Sequence, residues 1–159
     1  MWKAALDSTN EKLVVTGARS DRAYLFTIDT GTGAKIWERF SHGGISSGQD
    51  ISVDGKGNVY VTGAFKQSFG FEPATWHSPA TDDWVGFVSR LGVNDGRVRW
   101  TQTVPSTETS ILIRVATVPT SKNVNALGFH KGKVTISSDL TIGSTDDIDF
   151  TPFAFQIHQ

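Results

Sequence analysis

The chain has 159 residues, with 15 Lys and Arg against 16 Asp and Glu, so its formal net charge is −1. That length suits one domain with a sizeable core, and a hydrophobic share of 38% with 19% charged residues excludes a disordered chain. The near-zero charge leaves no electrostatic footprint for nucleic acid or an anionic membrane, and the lack of cysteine excludes a disulfide framework, a thiolate metal site and a cysteine nucleophile.

The opening Met1-Trp2-Lys3-Ala4-Ala5-Leu6-Asp7 has no basic n-region and no apolar h-region, so no export signal is read there and the chain is expected to be soluble. Short strands follow at Trp2–Leu6, Lys12–Gly17 and Tyr24–Ile28, where Tyr24, Phe26 and Ile28 alternate as on a half-buried strand. Thr30-Gly31-Thr32-Gly33 then turns the chain into a fourth strand through Trp37. Gly44-Ile45-Ser46-Ser47-Gly48 reads as a flexible connection. After it, Asp50–Asp54, Asn58–Phe65, Trp84–Gly92 and Arg97–Val104 read as strands again. Asp54-Gly55-Lys56-Gly57-Asn58 and Asn94-Asp95-Gly96 signal hairpins, because Asp, Asn and Gly accept the positive φ of tight turns. Ile111-Leu112-Ile113-Arg114-Val115-Ala116 is broken by Arg114 and too short to span a bilayer. No segment holds a helical period with caps, so essentially no helix is expected.

The elements repeat. Ile51-Ser52-Val53-Asp54, a turn, then Asn58-Val59-Tyr60-Val61-Thr62-Gly63 is matched upstream by Ala4-Ala5-Leu6-Asp7 and Lys12 to Gly17, with one extra turn residue. Downstream it is matched without a gap by Ala116-Thr117-Val118-Pro119 and Asn123 to Gly128. Tyr24 to Trp37 likewise aligns with Phe87 to Trp100, and a third copy of that block starts at Phe153. Gly17 and Gly63 stand 46 residues apart, Gly63 and Gly128 65, and Trp37 and Trp100 63. The extra length of the later copies falls at about 66–82 and 131–149, one loop position of the unit.

Four antiparallel strands recurring at this period predict β-propeller blades that must stack to bury their faces, with Trp37 and Trp100 as wedges between them. The fold expected is all-β, with one blade over about 2–40, a second over 49–104 and a third over 110–159 lacking its last strand. Closed propellers have about four to eight blades, so a piece of a longer chain is expected, whose open blade faces invite self-association.

Leu25-Phe26-Thr27-Ile28-Asp29-Thr30-Gly31 through Trp37 resembles the A-x-D-x-x-T-G-x-x-x-W motif of quinoprotein-like (pyrroloquinoline quinone) propeller repeats. Asp50 to Phe65 followed by Asp83 to Trp100 is similar to the bacterial beta-propeller repeat of SBBP type, D-x-x-G-N-x-Y-V-T-G-x-F, D-x-F-V-x-K-L, G-x-x-x-W. Copy three departs from it, with Pro119 in the place of Asp54 and Asn125 in that of Tyr60. The resemblance implies the blade, and it allows pyrroloquinoline quinone or Ca²⁺ only in a longer parent. With no Cys, no catalytic residue is carried over to any position.

Residue chemistry adds little. Gly44 to Gly48 fits the G-x-S-x-G nucleophile pattern without the helix it needs. Gly31-Thr32-Gly33 and Gly55-Lys56-Gly57 open no helix that could cradle phosphate. Asp82-Asp83 and Asp146-Asp147 recur before the third strand but lack a calcium loop, and His42, His77, His130 and His158 lie apart, so no metal is expected. The loop Phe69-Gly70-Phe71-Glu72-Pro73-Ala74-Thr75-Trp76-His77 offers Trp76 and His77, with Asp82 and Asp83, as a recognition surface. Its alternative is rings folded back over the blade edge. The expected role is a non-enzymatic interaction module for a protein or carbohydrate partner, with no nucleic acid and no membrane insertion. The other reading is part of a quinoprotein-like dehydrogenase.

Overall fold

In the computed structural model, residues 1–72, 74–77, 82–117, 123–137, 140–143 and 149–158 are described. Among them every regular element is a strand, and no helix is long and apolar enough to cross a membrane. Strands β1 (Lys3–Asp7), β2 (Lys12–Arg19), β3 (Arg22–Asp29) and β4 (Lys35–Phe40) form an up-and-down antiparallel sheet in that order. After β5 (His42–Gly43) come β6 (Ser46–Val53) and β7 (Asn58–Phe65), then the short β8 (Ser68–Gly70) and β9 (Trp76–His77), then β10 (Val85–Gly92) and β11 (Val98–Val104). The long members make a second four-stranded meander, β6-β7-β10-β11, while β5, β8 and β9 form a small sheet of their own. The third sheet is β12 (Thr109–Thr117), β13 (Val124–Lys131) and, after the hairpin β14 (Val134–Ser137) and β15 (Leu140–Ile142), β16 (Thr151–Ile157).

The turns form as their side chains dictate. Asp54 Oδ1 accepts the backbone N–H of Lys56 and Asn58, and its Oδ2 accepts from Asn58 Nδ2 and the Tyr60 hydroxyl. Asp7 does the same for Thr9 and Asn10 between β1 and β2. An aspartate that satisfies two turn N–H groups while Gly55 and Gly57 take positive φ makes the hairpin locally determined.

Two expectations are corrected. The segment Gly44–Gly48 is not a flexible connection: β6 begins at Ser46, four residues before the expected Asp50, and a bulge lies between Gly48 and Asp50. Ser46 is buried, its Oγ accepts the Ala23 N–H at 3.0 Å, and it lies 2.7 Å from the Ser41 hydroxyl, which holds the start of the second sheet on the first. In copy three, Val115 sits opposite Ala126 as Ile51 sits opposite Val61, so the gapless alignment is off by one residue. The extra residue falls between Thr117 and Val124, as the extra residue of copy one falls between Leu6 and Leu13. Pro119, Asp146 and Asp147 lie outside the described residues.

The cores sit between successive sheets. Val14, Ala23, Leu25 and Trp37 of the first sheet meet Ile51, Val59, Val61, Phe65 and Phe87 of the second. Val88 and Val104 of the second then meet Leu112, Ala126, Phe153 and Phe155 of the third. Strand β7 is therefore buried on both faces from Val59 to Phe65, whereas β13 alternates, with Val124, Ala126, Gly128 and His130 buried and Leu127 and Phe129 exposed. A strand covered on one side alternates and a strand covered on two does not.

The repeat marks have physical causes. A Cβ on Gly63 would strike the Ser47 carbonyl and the Phe87 ring, one on Gly128 would strike the Ile111 carbonyl, and one on Gly17 would strike the Trp2 ring. Trp37 is buried, and its Nε1–H donates to the Val93 carbonyl at 2.7 Å, across to the second sheet. Trp100 is half-buried against Tyr60 and Ile157, next to an open cleft.

Candidate functional site

The insertion at 66–82 begins with Gln67 in the left-handed region, at φ 63°, which reverses the chain from β7 into β8. Its stem is bonded to the connection leading into the same sheet: Gly44 N–H donates to Ser68 O, Lys66 N–H to Ile45 O, and His42 and Gly43 pair with Gly70 and Phe69. The second insertion is held alike, since Ser106 bridges Val134 while the N–H groups of Thr107 and Thr135 bond to Lys133 and Pro105. Among the described residues each insertion thus carries a small hairpin, on the edge opposite to the Asp7 and Asp54 turns.

The aromatic content of the first insertion points mostly inward. Phe69 is fully buried, its ring stacked 4.2 Å from Phe87 and 5.2 Å from Phe65, with Phe71 edge-on at 5.1 Å. Trp76 is half-buried with its ring 6.2 Å from Phe69, so it serves packing on one face and leaves the other to solvent. His77 is exposed beside it, paired through the backbone with Ser68. The structure brings Trp76 and His77 together at the rim of the hairpin.

Asp82 is exposed and Asp83 half-buried at the other end of the insertion. The Glu108 carboxylate, 2.9 Å from Lys131 Nζ, holds that ammonium's pKa above its usual value, and the charges of Asp83 and Asp149 add to the effect. Among the described residues, no group of three or more His, Asp or Glu is placed to hold a metal ion. His130 is buried, with Nδ1 2.7 Å from the Gly132 carbonyl and its ring edge-on to Phe153. It takes in the third sheet the place that Phe65 has in the second.

Two clefts remain. One, of about 450 Å³, is lined by Arg90, Trp100, Gln102, Ile157 and His158 beside the third sheet. The other, of about 490 Å³, lies where the first and second sheets meet and gathers Arg22, Arg39 and Arg97 around Phe40 and His42. Sequence reasoning passes over these arginines because they are scattered along the chain, and only the stacking of the sheets collects them. Their one signal is that Arg39 lies in β4 and Arg97 just before β11, the fourth strands of the first two sheets. Neither a protein-family model nor a curated protein matches the chain.

Proposed function

We propose that the three sheets are consecutive blades of a β-propeller-type repeat, and that the chain is a non-enzymatic interaction scaffold presenting its hairpin edge to a protein or carbohydrate partner. The observation that supports this best is a contact repeated between successive sheets. Ser46 accepts from Ala23 N–H and Ser110 accepts from Gly86 N–H, each from the first residues of a new sheet to the third strand of the one before. Ser110 also donates to Val104 O, as Ser46 meets Ser41. Units joined by the same bond in the same place are stacked by a repeat rule, and such arrays carry binding surfaces on their variable edge.

The same reading gives the open faces a use. Trp2 and Leu6 are exposed on the uncovered side of the first sheet, and Leu127 and Phe129 on the uncovered side of the third. Each is the side by which the other sheets receive a neighbour, so one copy's third sheet fits another copy's first. Light scattering, with and without Ca²⁺, is expected to show a mass that grows with concentration and falls to the monomer in Leu6→Lys.

The scaffold reading is tested by selecting binders from peptide-display and glycan libraries and mapping them with single variants. Loss of binding in Glu72→Ala or His77→Ala, with none in Lys56→Ala on the opposite edge, is expected. Binders lost only in Lys56→Ala, or no selectable binder at all, would sink it.

A further inference from the structure

The cleft between the first and second sheets gathers three arginines. Arg22 comes from the start of β3, Arg39 from β4 and Arg97 from the turn before β11, and all three line the same space of about 490 Å³. The carboxylates nearby are already used. Glu38 is paired with Lys35 at 2.8 Å and accepts from the Tyr24 hydroxyl, and Asp95 is paired with Arg99 at 3.0 Å. Among the described residues, the one acidic side chain lining the cleft is Glu72, exposed at its rim. The cleft is thus cationic although the chain as a whole carries a formal charge of −1.

Two of the guanidiniums are held in advance. Arg22 Nε–H donates to Ser41 O at 2.6 Å, and the group lies 5.8 Å from the centre of the Phe40 ring. Arg39 donates from Nε to Gly96 O, from Nη1 to Glu38 O and from Nη2 to Asp95 O, at 3.1 to 3.2 Å. A guanidinium has five N–H groups, so these bonds leave donors on both residues unspent. Backbone carbonyls fix an arginine without neutralising it, and that lowers the entropy lost when a ligand arrives. Arg97 is exposed, and its side chain makes no hydrogen bond or ion pair among the described residues. Phe40 supplies an apolar wall, and the volume falls within the range of small-molecule sites.

We propose that this cleft binds a tetrahedral oxyanion ester, a phosphate or sulfate group on a small ligand, clamped by Arg22, Arg39 and Arg97. The match is geometric as well as electrostatic, since arginine forks donate two parallel N–H bonds to such an anion. The site lies at the contact of two sheets and does not depend on the scaffold reading, so either can fail alone.

The test titrates the full chain with sodium phosphate and with sodium sulfate at constant ionic strength, following arginine Nε–H resonances by NMR. Saturable shifts at millimolar anion or below are expected, weakened about tenfold in Arg97→Gln and unchanged in Arg114→Gln, an exposed arginine elsewhere. Arg97→Gln removes no internal bond, so its fold is retained. Comparison at about pH 7.5 and about pH 5.5 separates the sources, because inorganic phosphate passes from dianion to monoanion on acidification, as a phosphate monoester does at about pH 6, and sulfate does not. Tighter binding of phosphate than of sulfate at the higher pH that is lost at the lower assigns phosphate, and preference for sulfate at both assigns sulfate. Absence of saturation with both anions, or equal weakening in Arg97→Gln and Arg114→Gln, overturns the proposal.

Discussion

Thr62 is fully buried on β7, and among the described residues its hydroxyl has no hydrogen-bond partner. Thr16, at the matching position of the first sheet, donates to the Tyr24 carbonyl instead. An unsatisfied buried hydroxyl costs roughly 1–3 kcal/mol, so Thr62→Val is expected to raise stability by about 1 kcal/mol. A urea midpoint that moves upward with an unchanged slope checks it. Asp54 works in the other direction. Burial pushes its carboxyl up, but the bonds from Asn58, the Lys56 N–H and Tyr60 outweigh that and hold the group below its ordinary value. A lowered folded pKa means that the stabilisation is complete above the usual carboxylate pKa of about 4 and is lost as the pH falls through the lower folded value. Asp54→Asn is therefore expected to cost about 1–2 kcal/mol at neutral pH, the difference from the parent closing in acid when denaturation is compared across pH. Both aspartate turns are legible in the sequence, because all their partners lie within six residues.

At the scale of elements, what the sequence conveys depends on how far away the partner is. The strands at Asn58–Phe65 and Arg97–Val104 follow from the turn residues that bound them, which are local. The early start of β6 does not, because Ser46 is fixed by Ala23, 23 residues upstream, and only the packing of two sheets makes that contact. Removing its hydroxyl strands the Ala23 N–H, so Ser46→Ala is expected to cost about 1–3 kcal/mol, with Ser110→Ala similar, by chemical denaturation. Equal costs would show the two positions to be one device used twice. The slip of copy three was hidden for a related reason. A bulge between Leu112 and Arg114 matches the one between Gly48 and Asp50, so the strands keep step before the bulge and the turn absorbs the difference. The insertions read as loops because strands of two to four residues leave no period to detect.

For the whole molecule, cohesion rests on two interfaces, and Trp37 spans the first. Its ring covers Gly96, its Nε1–H reaches Val93 O, and beside it Arg39 bonds to Asp95 and Gly96. Trp37→Ala is expected to cost about 3–5 kcal/mol. Because the second and third sheets share a separate core, the first should loosen alone, seen as hydrogen exchange accelerated in β1–β4 ahead of β12 and β13. Uniform acceleration would mean that the sheets do not act as separable units. The all-β class was legible because each sheet writes its own pattern of short strands and turns. The arginine cleft was not, since Arg22, Arg39 and Arg97 acquire a common address only when the first sheet lies on the second.

The bonds at the base of each insertion have one more consequence. The two ends of the first insertion are delivered at a fixed gap, by the pairing of His42 and Gly43 with β8 and by the Lys66 ammonium 5.3 Å above the Trp84 ring. Phe69 and Phe71 belong to the framework, being buried in its core, and a tip grafted beyond them would act as a cassette. Lengthening a tethered loop twofold costs only about 0.6 kcal/mol in closure entropy. Descendants of this chain could therefore exchange one tip for another, longer or shorter, while the framework that carries it stays the same.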